Sequence, residues 1–249
     1  MSRSGQAVSS HDTSTGSSSN RSEAQRARAV EQAAELFRQV PDDAAVAITD
    51  GSSIPNPGPC GTGVILFLPE NRQELRRLCG EAAADPAGQP AHEPGTRVQH
   101  GRTGPLCAYI GLGEGTNNIA ELWGPALAIK LLRWHEGNTG KRHRGPLYIF
   151  IDSKLTIDIC RYRARPKVNT RLGHIVRKLT YDCNETNTIH MHWIAGHADI
   201  AVNEMVDALA KRGASLSAAG QGVDAQRASE AGLFLPPGQA PYQYYNLPD

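Results

Sequence analysis

Acidic side chains stand at four points of the chain where chemistry is often built. Asp50 ends the β-type run AAVAITDG, and Asp152 ends a second such run, PLYIFIDS. Glu121 lies in the first turns of one helical stretch, and Asp207 lies in the first turn or so of the last one. A carboxylate at the end of a buried strand is poorly solvated, and it costs free energy unless a cation or a donor meets it.

If the strands that end in Asp50 and Asp152 are neighbours in one sheet, their carboxylates lie close together. Like charges at that separation do not both stay ionised without a counter-ion. Divalent cations resolve the repulsion, and oxygen ligands favour Mg²⁺ or Mn²⁺ over zinc. Two metals about 3.5 to 4 Å apart form a clamp for in-line attack on a phosphodiester. Each acid alone also fits an ordinary turn or helix-start residue, so the hypothesis depends on the four together.

The elements that must position these acids alternate between strand and helix patterns. Periodicity and turn signals give the order β-β-β-α-β-α-α-β-α, which is a mixed α/β class. Tight links between the first three strands predict an antiparallel meander. The later alternation of strands and helices predicts parallel crossovers. The closing helix is read from NEMVDALAKRGASL, so it begins at Asn203 in this interpretation.

The composition predicts one domain with appendages. Residues 1–22 are rich in Ser, Thr and Gly and are expected to be disordered, and residues 23–40 are expected to form an amphipathic helix. The domain spans 41–216, with an insertion at 69–104 that is rich in Pro, Gly and Ala. Residues 217–249 predict a flexible C-terminal tail.

Charge and cysteine content exclude several classes of protein. The net charge is +1, so any basic surface for a nucleic acid must be local. Five scattered cysteines without a CxxC pair argue against a disulfide framework or a zinc site. They predict a reducing intracellular compartment, cytoplasm or nucleus, with an organelle as the alternative. The sequence also lacks an apolar run of about 18 residues, so we expect no association with a membrane.

Four blocks of the sequence resemble the signature blocks of type 1 ribonuclease H. They are TDGSSIPNPGPCGTGVIL, TNNIAEL, FIDSK and GHADIAVNEMVDALAKRGA, and they span roughly residues 44–214. Each block is weak alone, but the ordered set is specific. The resemblance implies a five-stranded mixed sheet, antiparallel for strands one to three and flanked by helices. That architecture agrees with the element order.

The resemblance implies an endonuclease that cleaves the RNA strand of an RNA–DNA hybrid and leaves 5′-phosphate and 3′-hydroxyl ends. One metal would hold the attacking water, and the other would stabilise the leaving 3′-oxygen. His197 matches a histidine on a mobile loop that assists proton movement or product release, as suits an imidazole. Glu204 matches an acid that influences the metal site. Two Mg²⁺ ions are implied, with Mn²⁺ as the alternative, and their ligands match Asp50, Glu121, Asp152 and Asp207.

Contacts with the hybrid are implied for residues near these acids. Asn56, Asn117 and Asn118 match positions that approach the minor groove, where 2′-hydroxyls distinguish RNA from DNA. Gly51 matches a residue whose bare backbone approaches the RNA strand. Turn and cap chemistry is the alternative for the asparagines, with Asn118 as a candidate helix cap.

The sequence also departs from the family pattern. Thr116 and Asn169 match a pocket that grips a DNA-strand phosphate, but Glu114 stands where many members carry an arginine, and its charge repels a phosphate. Pro125 predicts a kink in its helix. Lys154 stands where uncharged residues are common.

Two basic runs of the sequence are candidates for contacts with phosphates. Candidate phosphate contacts lie in RYRARPK at 161–167 and in KRHR at 141–144, and the first is favoured because it follows the helix after Asp152.

Two other functions stay open: a retroelement-derived ribonuclease H domain that works with a separate polymerase, and a non-catalytic hybrid-binding module. The sequence assigns no protein partner.

Overall fold

The computed structural model of the protein describes residues 21–79, 104–166, 169–221 and 243–244. The strands are β1 (Ala45–Ser53), β2 (Gly58–Phe67), β3 (Leu106–Gly115), β4 (Leu147–Ile151), β5 (Ile189–Trp193) and β6 (Gln243–Tyr244). The helices are α1 (Glu23–Arg38), α2 (Arg72–Leu78), α3 (Asn117–Thr139), α4 (Lys154–Cys160), α5 (Thr170–Asn184) and α6 (Ala201–Ala218). A short 3₁₀ turn, Pro69–Asn71, precedes α2.

The sheet confirms the predicted class and strand directions. Its order is β5-β4-β1-β2-β3-β6. The β1–β2 and β2–β3 pairs are antiparallel, while β1–β4 and β4–β5 are parallel. The five expected strands are therefore present in a mixed sheet. β6 adds a two-residue antiparallel segment to the edge at β3, within the region that the sequence predicts as a tail.

Helices cover both faces of the sheet because the central strands are apolar on both sides. On one face Ala45, Ala47 and Ile149 pack against α3 and α5. On the other face Val46 and Ile48 pack against α1 and α6. A strand that is buried on both faces has a continuous apolar sequence, which explains why AAVAI contains no polar residue.

The N-terminal helix packs on the sheet. A capping box begins α1: the Ser22 hydroxyl accepts the N–H of Gln25, and the Gln25 side chain accepts the N–H of Ser22. Phe37 packs against Phe150 of β4, with ring centroids 4.5 Å apart. The residues that α1 buries follow helical spacing and are Ala29, Ala33 and Phe37.

Several sequence-based expectations fall outside the described residues. These are the predicted disorder over 1–20, most of the predicted insertion (80–103), and the predicted tail over 222–242 and 245–249. Inside the predicted insertion, the described residues form the 3₁₀ turn Pro69–Asn71 and α2. All five cysteines lie in described segments, and none of them forms a disulfide bond there. Within the described segments, none of the helices combines the length and the apolar character that crossing a membrane requires.

The last helix approaches the sheet closely because glycines line the contact. A Cβ at Gly61 of β2 would lie 2.2 Å from backbone atoms of both Gly213 and Ala214 in α6. A Cβ at Gly213 would in turn lie 2.5 Å from the carbonyl oxygen of Ile110 in β3. Only hydrogen at these positions permits the observed packing, which fixes the height of α6 over the sheet.

The substitution Gly61→Ala tests this close approach. Its methyl group must displace α6, so we expect the free energy of unfolding to fall by about 1 to 3 kcal/mol or more. The matched control is Gly137→Ala in α3, where a Cβ would meet nothing within 4 Å. That change should stabilise the protein by about 0.5 to 1 kcal/mol, because alanine favours helix over glycine. Urea unfolding measures both, and equal effects of the two changes would contradict the packing account.

Candidate active site

The end of the parallel pairing brings Asp50 and Asp152 together. β1 and β4 are in register through Thr49 and Ile151, and the two aspartates are the next residues on each strand. β4 ends there, so Asp152 leaves the sheet. The sequence places Asp50 at the end of its strand, and this is wrong, because β1 continues to Ser53 through its antiparallel pairing with β2. At Asp50, therefore, β1 has lost its pairing with β4 but still pairs with β2.

Two helices carry the other predicted acids to the same place. Glu121 starts the second turn of α3, and a Cβ at Gly51 would lie 2.2 Å from the Glu121 backbone nitrogen. The bare backbone of Gly51 thus permits close approach of α3. Asp207 lies in the second turn of α6, later than the sequence predicts, because the helix begins at Ala201 and not at Asn203.

The four carboxylates interact electrostatically. Asp50 is 6% exposed and Asp207 is 8% exposed. Burial and the charge of Asp152 raise the pKa of Asp50 well above its ordinary value, and Asp207 and Glu121 add to this effect. The backbone N–H of Gly51 donates to Asp50 Oδ1 at 2.7 Å and opposes part of the shift. The repulsion that the sequence predicts between strand-end carboxylates is therefore present.

Asp152 has oxygen atoms suited to a cation. Its Oδ1 is buried and has no hydrogen-bond partner among the described residues. A Cβ at Gly196 would lie 2.2 Å from Oδ2, so only glycine leaves room for this carboxylate. Burial raises the pKa of Asp152, while the charge of His197 and, less strongly, that of Arg21 lower it. A set of electrostatically coupled carboxylates with an unpartnered buried oxygen fits a hard divalent cation such as Mg²⁺ or Mn²⁺.

His197 lies beside these acids in the loop between β5 and α6. It is exposed, and its ring offers a nitrogen that lies within 4.8 Å of carboxylate oxygens of Glu204 and Asp207. The backbone φ angles of His197 and Asp199 are 45° and 58°, which is the left-handed region. The structure thus brings together the predicted histidine, the predicted nearby acid and one of the four candidate ligands.

Lys211 is a site residue that the sequence reasoning missed. Its Nζ lies 2.5 Å from Oδ2 of Asp207, one helical turn earlier. The hydrogen bond to Asp207 raises the pKa of Lys211, and the charges of Glu204 and Asp50 act in the same direction. The i, i+4 spacing of an acid and a lysine was the available sequence signal. Lys211 supplies a counter-charge at one side of the acid cluster.

The predicted minor-groove residues occupy the loop before β2 and the start of α3. Asn56 Oδ1 accepts the backbone N–H of Asn117 at 3.3 Å, which ties the two segments together. Asn118 is exposed. The helix cap proposed as its alternative role is wrong, because Thr116 is the N-cap and its hydroxyl accepts the N–H of Ile119 at 3.4 Å.

The remaining predicted residues lie on β3, α3 and α4 and at the start of α5. Glu114 is exposed near the end of β3. Asn169 is exposed at the N-terminus of α5 and makes no side-chain capping bond. Lys154 Nζ lies 4.5 Å from the centre of the Trp193 ring, a cation–π contact. Pro125 lies inside α3 and does not end the helix.

Arg177 of α5 holds part of the favoured basic run, residues 161–167, against the helices. The buried guanidinium of Arg177 donates to the carbonyl oxygens of Ile159, at 2.7 Å, and of Ala164. Arg163 and Arg165 are exposed on the segment that Arg177 anchors. Residue 167, the last of the run, lies outside the described residues.

Comparisons with known proteins point to one family. The family model RNase H matches residues 96–215. Ribonuclease H of Mycolicibacterium gilvum (strain PYR-GCK) is 25% identical over 173 residues, which cover 69% of this chain and 92% of that protein.

Solved structures of similar proteins carry the same name. The N-terminal RNase H domain of rv2228c from Mycobacterium tuberculosis is 19% identical, with a TM-score of 0.45, over 71% of this chain and 97% of that chain. RNase H1 of the halophilic archaeon Halobacterium salinarum NRC-1 is 19% identical, with a TM-score of 0.43, over 69% of this chain and 98% of that chain. LC11-RNase H1, solved in complex with an RNA/DNA hybrid, is 19% identical, with a TM-score of 0.43, over 70% of this chain and 99% of that chain.

The carboxylate repulsion predicts how the stability of the metal-free protein depends on pH. Burial raises the pKa of Glu121 from 4.5 to about 7, and the charge of Asp152 adds to this shift. Between these two pH values the folded state holds a proton that the unfolded chain has released. The free-energy cost of ionising Glu121 in the folded protein is therefore absent below pH 4.5, grows as the pH rises, and is complete above about 7.

We expect Glu121→Gln to raise the free energy of unfolding at pH 8 in EDTA by about 1 to 3 kcal/mol, and to change it little at pH 4. Urea unfolding at both pH values measures the difference. Glu31→Gln, at an exposed position of α1, is the control and should have no pH-dependent effect. An effect of Glu121→Gln that is equal at both pH values would contradict the electrostatic account.

Proposed function

We propose that this chain, which belongs to the ribonuclease H family, is an endonuclease that hydrolyses the RNA strand of RNA–DNA hybrids and leaves 5′-phosphate and 3′-hydroxyl ends. The observation that carries the proposal is the electrostatic coupling of four acids, which lie on β1, on α3, directly after β4 and on α6. Ionisable groups with strongly raised pKa values cluster at functional sites, because the folded protein tolerates their cost where chemistry needs them. The match to the family model and the relative from M. gilvum support the substrate class.

We propose two Mg²⁺ ions as the cofactor, with Mn²⁺ as the alternative. Asp50, Glu121, Asp152 and Asp207 would hold them. Bound divalent ions supply Lewis-acid stabilisation to the attacking and leaving oxygens of a phosphodiester. The unpartnered Oδ1 of Asp152 supports this assignment, as does the mutual repulsion that cations would relieve.

The chain's own residues would supply proton transfer and local charge. His197 is exposed, and its ring lies beside Glu204 and Asp207, so it can exchange protons between the site and solvent. Glu204 would tune the charge next to that ring. Lys211 would limit the net negative charge at Asp207.

Recognition of the hybrid would use the polar rim of the site. Asn56 and Asn117 are already tied together, and Asn118 is exposed beside them. An amide both donates and accepts, which suits contact with a 2′-hydroxyl. Gly51 lies between these polar residues and the acids, because it follows Asp50 directly and α3 packs on its backbone. Thr116 and Asn169, at the starts of α3 and α5, would bind the phosphate of the DNA strand.

A cleavage assay on the full chain tests the function. We expect a labelled RNA–DNA hybrid to be cut at internal RNA positions with Mg²⁺ and to stay intact in EDTA, and duplex DNA and duplex RNA to resist. Ligation of the products would report the 5′-phosphate. Tight hybrid binding without metal-dependent cleavage would instead identify a non-catalytic binding module. Activity only with an added polymerase would favour the retroelement-derived alternative.

The acids and the histidine should differ in their mutational effects. We expect Asp50→Asn to lower cleavage by on the order of a thousandfold or more, because a metal ligand is lost. Hybrid binding should stay within about twofold of the wild type, since the change does not touch the rim. His197→Ala should slow turnover by only about tenfold to a hundredfold, as for loss of a proton-transfer group. Asp182→Asn, at an exposed position of α5, is the control; a near-normal Asp50→Asn enzyme would refute the metal-site assignment.

Glu114 offers a test of the phosphate contact. We expect Glu114→Arg to tighten hybrid binding and to steepen its dependence on salt by about one phosphate contact. Glu70→Arg makes the same change in net charge just after β2. At that end of β2, Phe67 pairs with Val46, near the N-terminal end of β1 and four residues before Asp50. Binding is measured by titration at several salt concentrations. Equal salt slopes for the two variants would show that position 114 does not face the phosphate.

A further inference from the structure

The N-terminal segment contacts the loop that carries His197. Arg21, just before α1, donates from Nη1 to the carbonyl oxygen of Gly196 at 2.5 Å, across 175 positions of the chain. Arg26, in the first turn of α1, lies 3.4 Å from Oδ2 of Asp199. These two contacts bracket His197. The segment that makes them lies outside residues 96–215, which match the family model.

The bracketed loop has a backbone that needs support. His197 and Asp199 both have positive φ angles, 45° and 58°. Residues other than glycine pay free energy for this conformation, and they keep it only where the surroundings over-determine it. Ala198, between them, is 0% exposed and belongs to the same apolar cluster as Phe37 of α1. The core therefore holds the middle of the loop, and the two arginines hold its ends.

The two arginine contacts differ in strength and support each other. The bond from Arg21 is partly buried, whereas the Arg26–Asp199 pair is exposed, with 44% and 68% of the two side chains accessible. Exposed ion pairs contribute little alone. Arg26 also donates from Nε to the carbonyl oxygen of Arg21 at 3.3 Å, which orients the residue that makes the stronger contact. Arg21 is the main contact, and Arg26 supports it.

Apolar packing keeps the helix in position for these contacts. Ala29 and Ala33 of α1 line one wall of a cleft whose other wall is the end of β5 and the residues after it, Trp193, Ile194 and Ala195. Those residues lead directly into Gly196. A shift of α1 along the sheet would therefore move both the floor of the loop and its arginine contacts.

We propose that Arg21 and Arg26 are positioning residues that fix loop 196–199 so that the His197 ring stays beside Glu204 and Asp207. The N-terminal helix then belongs to the apparatus of the active site and does more than cover an apolar face. The kinetic consequence rests on the proposed function, whereas the effect on the loop is independent of any activity.

Amide hydrogen exchange tests the loop contact without substrate. In the full chain we expect the doubly substituted variant Arg21→Ala/Arg26→Ala to exchange its amides at 196–200 at least about tenfold faster, because local opening becomes easier. The ring resonances of His197 should shift as well. Exchange in β1 and β4 should stay unchanged. Arg28→Ala, at an exposed position of the same helix, is the matched control and should match the wild type. Wild-type exchange at 196–200 in the double variant would overturn the proposal.

Kinetics test whether the contact acts through the histidine. We expect Arg21→Ala to lower kcat by about fivefold to tenfold and to leave KM for the hybrid within about twofold, since Arg21 acts on the loop and not on the substrate. Arg21→Lys keeps a charged donor and should restore part of kcat. In a His197→Ala background, Arg21→Ala should have no further effect, as for two residues that act as one unit.

The contrary outcomes are distinct. Additive losses of kcat in the Arg21→Ala/His197→Ala variant would overturn the positioning role. A loss confined to KM would also overturn it and would place Arg21 on the substrate. A wild-type chain that does not cleave hybrids would refute the proposed function, while hydrogen exchange would still decide the loop contact.

Discussion

Repulsion among buried carboxylates is the constraint on which the rest of this structure depends. The register of β1 and β4 makes Asp50 and Asp152 neighbours, so they cannot separate without breaking the parallel pairing. The N–H of Gly51 and the ammonium of Lys211 compensate only part of the negative charge of these carboxylates. Divalent cations bound as proposed would remove this penalty, and their binding would then stabilise the folded protein.

Close packing and chemistry use the same glycines. Gly51 lets α3 reach β1 and so places Glu121, and Gly61 with Gly213 sets the height of α6 over the sheet. Gly196 leaves room for the carboxylate of Asp152. A methyl group at any of these positions would move an acid or its support, since packed interiors transmit small displacements. The geometry of the site is thus a consequence of backbone packing more than of the acids themselves.

The histidine loop differs from the acids in how it is held. The acids stand on or directly beside strands and helices, which are rigid, whereas His197 stands on a loop with two left-handed residues. Such a loop takes its conformation from its neighbours, here the apolar core under Ala198 and the segment at Arg21. The segment around α1 is therefore placed to influence the conformation of the loop that carries His197.

The sequence by itself determined the α/β class and the directions of five strands, because periodicity is a local property of the chain. It also nominated the four acids as candidate ligands, through signature blocks that are short and local. The extent of β1 beyond Asp50 was decided by its pairing with β2, and the cap of α3 by Thr116. The contact of Arg21 with the histidine loop joins residues 175 positions apart, and no local pattern encodes it. Only the tertiary structure decides such contacts, since they depend on how whole elements pack against one sheet.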